Sequence, residues 1–311
     1  MTPFAIVFPG QGSQSVGMLD AWGDHPAVRQ TLQEASDALG EDIARLIAQG
    51  PKEQLDLTTN TQPVMLAADI ACWRAWQAET GLAPVAVAGH SLGEYAALVA
   101  AGALTLADAL PLVRFRAQAM QDAVPVGVGG MAAILGLDAQ AVREGCAQVA
   151  ARGEVVEAVN FNDPKQTVIA GTKAGVEQAC EALKAAGAKR ALPLPVSAPF
   201  HSTLMKPAAD RLKDKLAAVA LHSPALPVIN NIDVAAEADA SRIRDALYRQ
   251  AFGPVRWVEC VQALKARGAR ALVECGPGKV LAGMAKRIDA ELAAYTFFDP
   301  ASLADTRGAL A

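Results

Sequence analysis

The chain has 311 residues, 52% of them hydrophobic and 19% charged, with a formal net charge of −4; this is the balance of a globular protein with a large core and excludes disorder as the dominant state. The 28 Lys+Arg against 32 Asp+Glu leave no basic excess to neutralise a nucleic-acid backbone. No uninterrupted apolar run reaches the roughly 20 residues of a membrane-spanning helix, so neither nucleic acid nor a membrane is expected as a partner.

From Met1 the sequence is apolar, lacks a basic leader and runs at once into Pro9-Gly10-Gln11-Gly12. It reads as a buried strand over Phe4 to Phe8 that feeds a Gly-rich loop, and not as a signal peptide. Helical stretches around Ala27 to Gln49 and Gln62 to Thr80 precede a second buried strand at Val85 to Ala88, a helix at Glu94 to Ala101 and another from about Leu106 to Asp122. Alternating strand and helix predicts an α/β fold with a mostly parallel sheet. Between Gly127 and Leu194 the order changes to strand (Met131 to Leu135), helix (Ala139 to Ala151), strand (Val155 to Phe161), strand (Thr167 to Gly171), helix (Ala174 to Ala186), strand (Lys189 to Leu194). That β-α-β-β-α-β order is ferredoxin-like, and turn formers flank it, Pro125 to Gly130 on one side and Pro193, Pro195 and Pro199 on the other. We therefore expect a large α/β domain, 1–126 and 195–311, with an inserted subdomain, 127–194. The α/β pattern resumes with a helix around Lys206 to Val219, a strand at Pro227 to Asn230, a helix near Ser241 to Gln250 and a strand at Ala271 to Glu274. The five cysteines, Cys72, Cys146, Cys180, Cys260 and Cys275, are widely spaced without a C-x-x-C pair. They fit reduced core thiols in a cytoplasmic protein, with neither a disulfide framework nor a thiolate metal site.

Gly89-His90-Ser91-Leu92-Gly93 lies between a strand and a helix, the context that makes a G-x-S-x-G a nucleophile elbow. There the glycines allow a tight turn and Ser91 Oγ projects at the sheet edge; the plainer alternative makes Ser91 only a helix N-cap. A serine nucleophile needs a base. Of the four histidines, His90 adjoins Ser91 with its side chain diverging, and His25 and His222 sit in polar sequence. His201 remains, in a Pro-punctuated loop where the insertion rejoins the large domain; a simple hydrogen-bonded loop histidine is its alternative. Acyl transfer also needs donors for an oxyanion. Elbow geometry offers the Leu92 backbone N–H, and the Gly-rich loop offers a second donor at Gln11. The Leu106 to Asp122 helix carries Arg114 and Arg116, either of which could bind a substrate anion. At about 100° per residue they fall about 80° to either side of the apolar stripe, so periodicity does not choose between them.

These motifs, together with Thr61-Gln62-Pro63, Gly93-Glu94-Tyr95, Met120-Gln121, Val159-Asn160-Phe161-Asn162, Pro254-Val255-Arg256-Trp257 and Gly276-Pro277-Gly278-Lys279, closely resemble the bacterial malonyl-CoA:acyl carrier protein transacylases of fatty acid synthesis over essentially the whole chain. The resemblance implies a hydrolase-like domain with an inserted ferredoxin-like subdomain. It assigns the nucleophile to Ser91, the base to His201, the oxyanion donors to Gln11 and Leu92, and the carboxylate grip to Arg116. Gln250 would orient the histidine through its backbone carbonyl, in place of an acidic triad member. Gln62, His90, Asn160 and Phe200 would line the substrate site, with packing under the elbow as the alternative for His90; the Phe200 ring suits malonyl over a branched acyl group. No permanently bound cofactor is implied. Malonyl-CoA would be the donor and the phosphopantetheine thiol of holo-acyl carrier protein the acceptor, meeting basic residues such as Lys189, Arg190, Lys279, Lys286 and Arg287. A monomer is expected. The rival readings are a malonyl transferase serving another carrier, in malonate decarboxylation or polyketide assembly, a serine (thio)esterase, and a silent scaffold.

Overall fold

The computed structural model describes residues 1–196 and 198–311; Ser197, in the loop before His201, lies outside the described residues. In chain order, β1 (Phe4–Phe8) leads to α1 (Pro26–Leu39), α2 (Ile43–Gln49), α3 (Lys52–Leu55) and α4 (Thr58–Thr80), then β2 (Ala86–Gly89), α5 (Gly93–Ala100) and α6 (Leu106–Asp122). The middle of the chain forms β3 (Gly129–Leu135), α7 (Ala139–Ala150), β4 (Val156–Asp163), β5 (Gln166–Thr172), α8 (Lys173–Ala185) and β6 (Arg190–Pro193). The rest forms α9 (Lys206–Ala218), β7 (Val228–Ile229), α10 (Ala240–Gln250), α11 (Trp257–Ala266), β8 (Ala271–Cys275), α12 (Val280–Ile288), β9 (Ala293–Phe297) and α13 (Pro300–Leu310).

Two sheets organise these elements. The larger has the order β7-β2-β1-β8-β9, and every neighbouring pair in it is parallel. Period-2 alternation along β1 sends Phe4, Ile6 and Phe8 to the core shared with α4 and α6, and Ala5 and Val7 to a second core with α11 and α12. Both faces are covered, which explains why β1 reads as a continuous apolar run. Helix α4 is likewise enclosed on most sides, and its Trp76 stacks on Phe297 at 4.9 Å. The smaller, antiparallel sheet has the order β4-β5-β3-β6, that of a ferredoxin-like unit. Ala132, Ile134 and Ile169 face α7 and α8, while Met131, Ala133 and Val168 face the large unit. The fold is thus a mostly parallel α/β hydrolase-like unit carrying a ferredoxin-like one.

The smaller sheet is tied by backbone to the segment of the large unit that precedes α11: Val255 N–H donates to Val159 O at 2.8 Å and Phe161 N–H to Val255 O at 2.9 Å. Arg287 of α12 adds an ion pair with buried Asp163 of β4 at 2.6 Å, so this one of the five basic docking candidates is already engaged.

Several boundaries differ from the sequence reading. The stretch around Ala27 to Gln49 is two helices, because Gly40 ends α1 in the left-handed region. Helix α4 begins a turn before Pro63, where Thr61 Oγ1 bonds Leu57 O. Strand β7 is only two residues long.

Candidate active site

Because the large sheet is parallel, the loops leaving the C-terminal ends of β1, β2 and β7 converge on one crevice. They carry Gln11, Ser91 and Asn231. Ser91 sits at φ +53°, between β2 and α5, and His201 at φ +65°. Left-handed backbone is costly for residues other than glycine and marks positions the surrounding fold over-determines. Gly89 and Gly93 have no such φ; their role is space. A Cβ on Gly89 would lie 1.9 Å from Gly93 O, and one on Gly93 would lie 2.1 Å from Phe8 O. The elbow glycines therefore permit the tight turn by letting backbone meet backbone, while Ser91 itself takes the left-handed conformation. Gly93→Ala is expected to cost about 3 kcal/mol or more, since backbone must move to admit it. Urea unfolding checks this: the midpoint should fall with an unchanged m-value, and an unaltered midpoint would show that the elbow opens freely.

Ser91 Oγ lies 2.7 Å from His201 Nε2, and His201 Nδ1 lies 2.9 Å from the carbonyl oxygen of Gln250. A carbonyl only accepts, so Nδ1 carries the proton and the Nε2 lone pair faces the serine hydroxyl. Burial of the ring, and next the positive charge of Arg116, push the His201 pKa down to about 3. The imidazole is neutral at physiological pH.

Arg116 is 2% exposed. It donates through Nη1 to Gln62 Oε1 at 2.7 Å, and through Nη2 to Gln250 Oε1 at 3.1 Å and Ser91 Oγ at 3.2 Å. Its guanidinium lies 5.5 Å from the centre of the Tyr95 ring. Among the described residues no carboxylate forms an ion pair with it, and its Nε has no partner. Arg114, two residues away, is committed elsewhere, donating through both Nη atoms to Glu41 at 2.7 Å. The symmetry left open by helical periodicity is broken by these two tertiary environments.

Ser91, His201, Arg116 and Gln62 border a cavity of about 130 Å³, lined further by Gln11, Leu92, His90, Asn160 and an apolar wall of Met120, Met131, Leu194, Val196 and Phe200. Neither the Gln11 nor the Leu92 backbone N–H donates a hydrogen bond among the described residues, while the Gln11 side-chain amide donates to Thr58 Oγ1 at 3.2 Å. The two loops touch, since a Cβ on Gly10 would lie 2.6 Å from His90 O. His90 turns away from Ser91: its Nε2 meets Asn162 Oδ1 at 2.8 Å and its ring packs edge-on to Trp257 at 5.5 Å. It both lines the cavity and packs beneath the elbow. A second cavity, of about 220 Å³, shares Gln11, His90, Asn160 and Leu194 with the first and continues past Val168 to Met284. His25 lies far off against Trp22 and Glu79, and His222 is exposed.

Asn231, Met131, Leu194 and Val196 were not singled out in the sequence. Asn231 Oδ1 accepts the Ser91 N–H at 2.8 Å and its Nδ2 donates to Gly89 O at 2.8 Å, holding both sides of the elbow. A polar residue just past a parallel strand was the available signal. Among the described residues no group of three His, Cys, Asp or Glu could hold a metal ion, and no helix is long and apolar enough to cross a membrane.

A parallel sheet whose strand-to-helix elbow presents Ser91 to a buried histidine has the form of an acyl transferase domain; that family matches residues 5–291, and the chain belongs to it. Its curated relatives include the malonyl CoA-acyl carrier protein transacylases of Salmonella typhimurium, 54% identical over 97% of this chain and 98% of that one, and of Escherichia coli, 53% identical over 98% of each. Among solved structures, the acyl-carrier-protein S-malonyltransferase of Burkholderia pseudomallei is 66% identical and superposes with a TM-score of 0.97 over 99% of this chain and 100% of that one. A malonyl-transacylase in complex with its type II PKS acyl-carrier protein is 51% identical, with a TM-score of 0.97 over 99% of this chain and 100% of that one.

Proposed function

We propose that this protein is a malonyl-CoA:acyl carrier protein transacylase, and the observation that carries the reading is Arg116: a buried guanidinium that pairs with no carboxylate among the described residues, 3.2 Å from the Ser91 oxygen. A planar fork suits a free carboxylate, and an acyl chain held there by its far end brings its thioester carbon to Ser91. His201 Nε2 takes the hydroxyl proton as Ser91 Oγ bonds to that carbon, and the oxyanion is held by the Gln11 and Leu92 amides. Collapse breaks the C–S bond; coenzyme A leaves with the proton from His201, and Ser91 carries a malonyl ester. The thiol of phosphopantetheine then gives its proton to His201, attacks the ester and regenerates Ser91, so the kinetics are ping-pong. Gln250 orients His201 through its carbonyl, and Gln62 holds Arg116. The pantetheine arm occupies the second cavity, beside His90 and Asn160, between the large domain, 1–126 and 195–311, and the inserted subdomain, 127–194. No bound cofactor takes part. The carrier protein is the transient partner, the enzyme works in the cytoplasm as a monomer, and exposed Lys189 and Arg190 are available to an acidic carrier.

Intact-protein mass spectrometry after mixing with malonyl-CoA tests this. A malonyl adduct is expected on wild type and not on Ser91→Ala, stable in buffer and discharged by holo-acyl carrier protein. An adduct lost to water as fast as to the carrier would make the protein a hydrolase. The acyl pocket gives a further expectation: Phe200, 9% exposed on the cavity wall, blocks an α-methyl branch. Phe200→Ser should raise methylmalonyl-CoA turnover relative to malonyl-CoA by roughly tenfold, the scale of one methyl group in an apolar pocket. An unchanged ratio in a competition assay would remove the steric account.

A further inference from the structure

We infer that Glu94 is a positioning residue, acting through the side chain of Gln250 to hold Arg116 in the orientation that selects a carboxylated acyl group; the inference rests on the reading above. Glu94 is 2% exposed and lies in the first turn of α5, directly under the elbow. Its Oε2 accepts from Asn231 N–H at 2.8 Å and from Gln250 Nε2 at 3.0 Å. The second bond fixes which way round the Gln250 amide sits. With its NH2 committed to Glu94 and to Ser91 O at 2.9 Å, its Oε1 must face Arg116, 3.1 Å away. The reversed amide would point NH2 at a guanidinium and oxygen at Glu94 Oε2, which already accepts from Asn231 N–H, two donors together and two acceptors together. The same Gln250 supplies the carbonyl to His201, but that contact is made by backbone and does not depend on the amide. Glu94 should therefore govern the grip on the acyl carboxylate more than the chemistry at Ser91.

The experiment is competitive labelling of Ser91 by malonyl-CoA and acetyl-CoA supplied together, read as the ratio of the two adducts by mass spectrometry. That ratio does not depend on how much of a variant is folded. Glu94→Ala should lower the malonyl-to-acetyl ratio by about tenfold or more, the scale of one hydrogen bond to a charged group. Glu94→Gln keeps an acceptor for both donors in nearly the same volume; it should stay within about threefold of wild type. In a Gln250→Ala background the Glu94→Ala change should add nothing, because the residue through which it acts is gone. If Glu94→Ala does not accumulate, Glu94→Leu carries the same expectation. The inference fails if the alanine ratio equals wild type, if Glu94→Gln is as impaired as Glu94→Ala, or if the alanine effect persists in full without Gln250. A wild type that takes no malonyl label overturns the underlying function instead.

Discussion

Replacing Arg116 with alanine is expected to lower kcat/KM for malonyl-CoA by between about 30- and 3,000-fold, while kcat/KM for acetyl-CoA stays within a few-fold of wild type. The range corresponds to about 2 to 5 kcal/mol for truncating one partner of a buried, hydrogen-bonded charge pair. The asymmetry follows from geometry: only an acyl group with its own carboxylate meets the Nη atoms held by Gln62 and Gln250. Lysine should recover little, because a single ammonium cannot reproduce the fork. Parallel losses for both donors would mean that Arg116 serves the serine, through its 3.2 Å contact with Oγ, and not the acyl group.

The second large effect is on pH dependence. With the free-enzyme pKa of His201 near 3, its ring is unprotonated throughout the weakly acidic range. A depressed pKa moves the acid limb of kcat/KM downward, so wild type should keep nearly its full rate of Ser91 acylation at pH 5. A histidine at its ordinary pKa of about 6.5 would be only about 3% neutral there. Because the charge of Arg116 is one cause of the depression, Arg116→Ala should shift that limb upward. A bound malonyl carboxylate offsets the same charge, so the limb in kcat should lie at higher pH than that in kcat/KM. Pre-steady-state acylation between pH 4 and 8 reads all three, and an acid limb centred at pH 6 to 7 in the wild type would refute the burial argument. His201→Ala should remove the limb altogether and slow acylation by about 100- to 10,000-fold.

What could be read in advance was what local chemistry dictates. The Phe4–Phe8 run, the elbow and the Leu106–Asp122 helix were legible because apolar runs, glycine spacing and period 3.6 are local signals. The β-α-β-β-α-β order was legible for the same reason, since its helices each show one apolar face and its central strands are short apolar runs bounded by turn formers. Helices α11 and α12 start at Arg256 and Lys279 without a side-chain cap, so they lack a start signal in the sequence. Strand β9 was missed because it is a half-buried edge strand, Ala-Ala-Tyr-Thr-Phe, with no clean alternation. Helix α13 does carry a start signal, Asp299 with Pro300 and a capping box to Ser302. At the site, the choice between Arg114 and Arg116 depended on Glu41, and the work of Glu94 and Asn231 on contacts made across the fold. Partners so distant in sequence leave no periodic trace, so the residues that bear the chemistry were easier to see than those that hold them in place.

The central strand β1 pairs on one side with β2 and on the other with β8, which lies near the opposite end of the sequence. During synthesis, β1 and β2 leave the ribosome long before β8 exists to cover the second edge. Until then the row of β1 backbone groups facing β8 is an open, apolar template for pairing with another chain. Contacts this distant close slowly, since the intervening chain must be ordered first. The nascent chain therefore carries an open, apolar strand edge through most of its synthesis, and it stays liable to pair with a neighbour until β8 closes that edge.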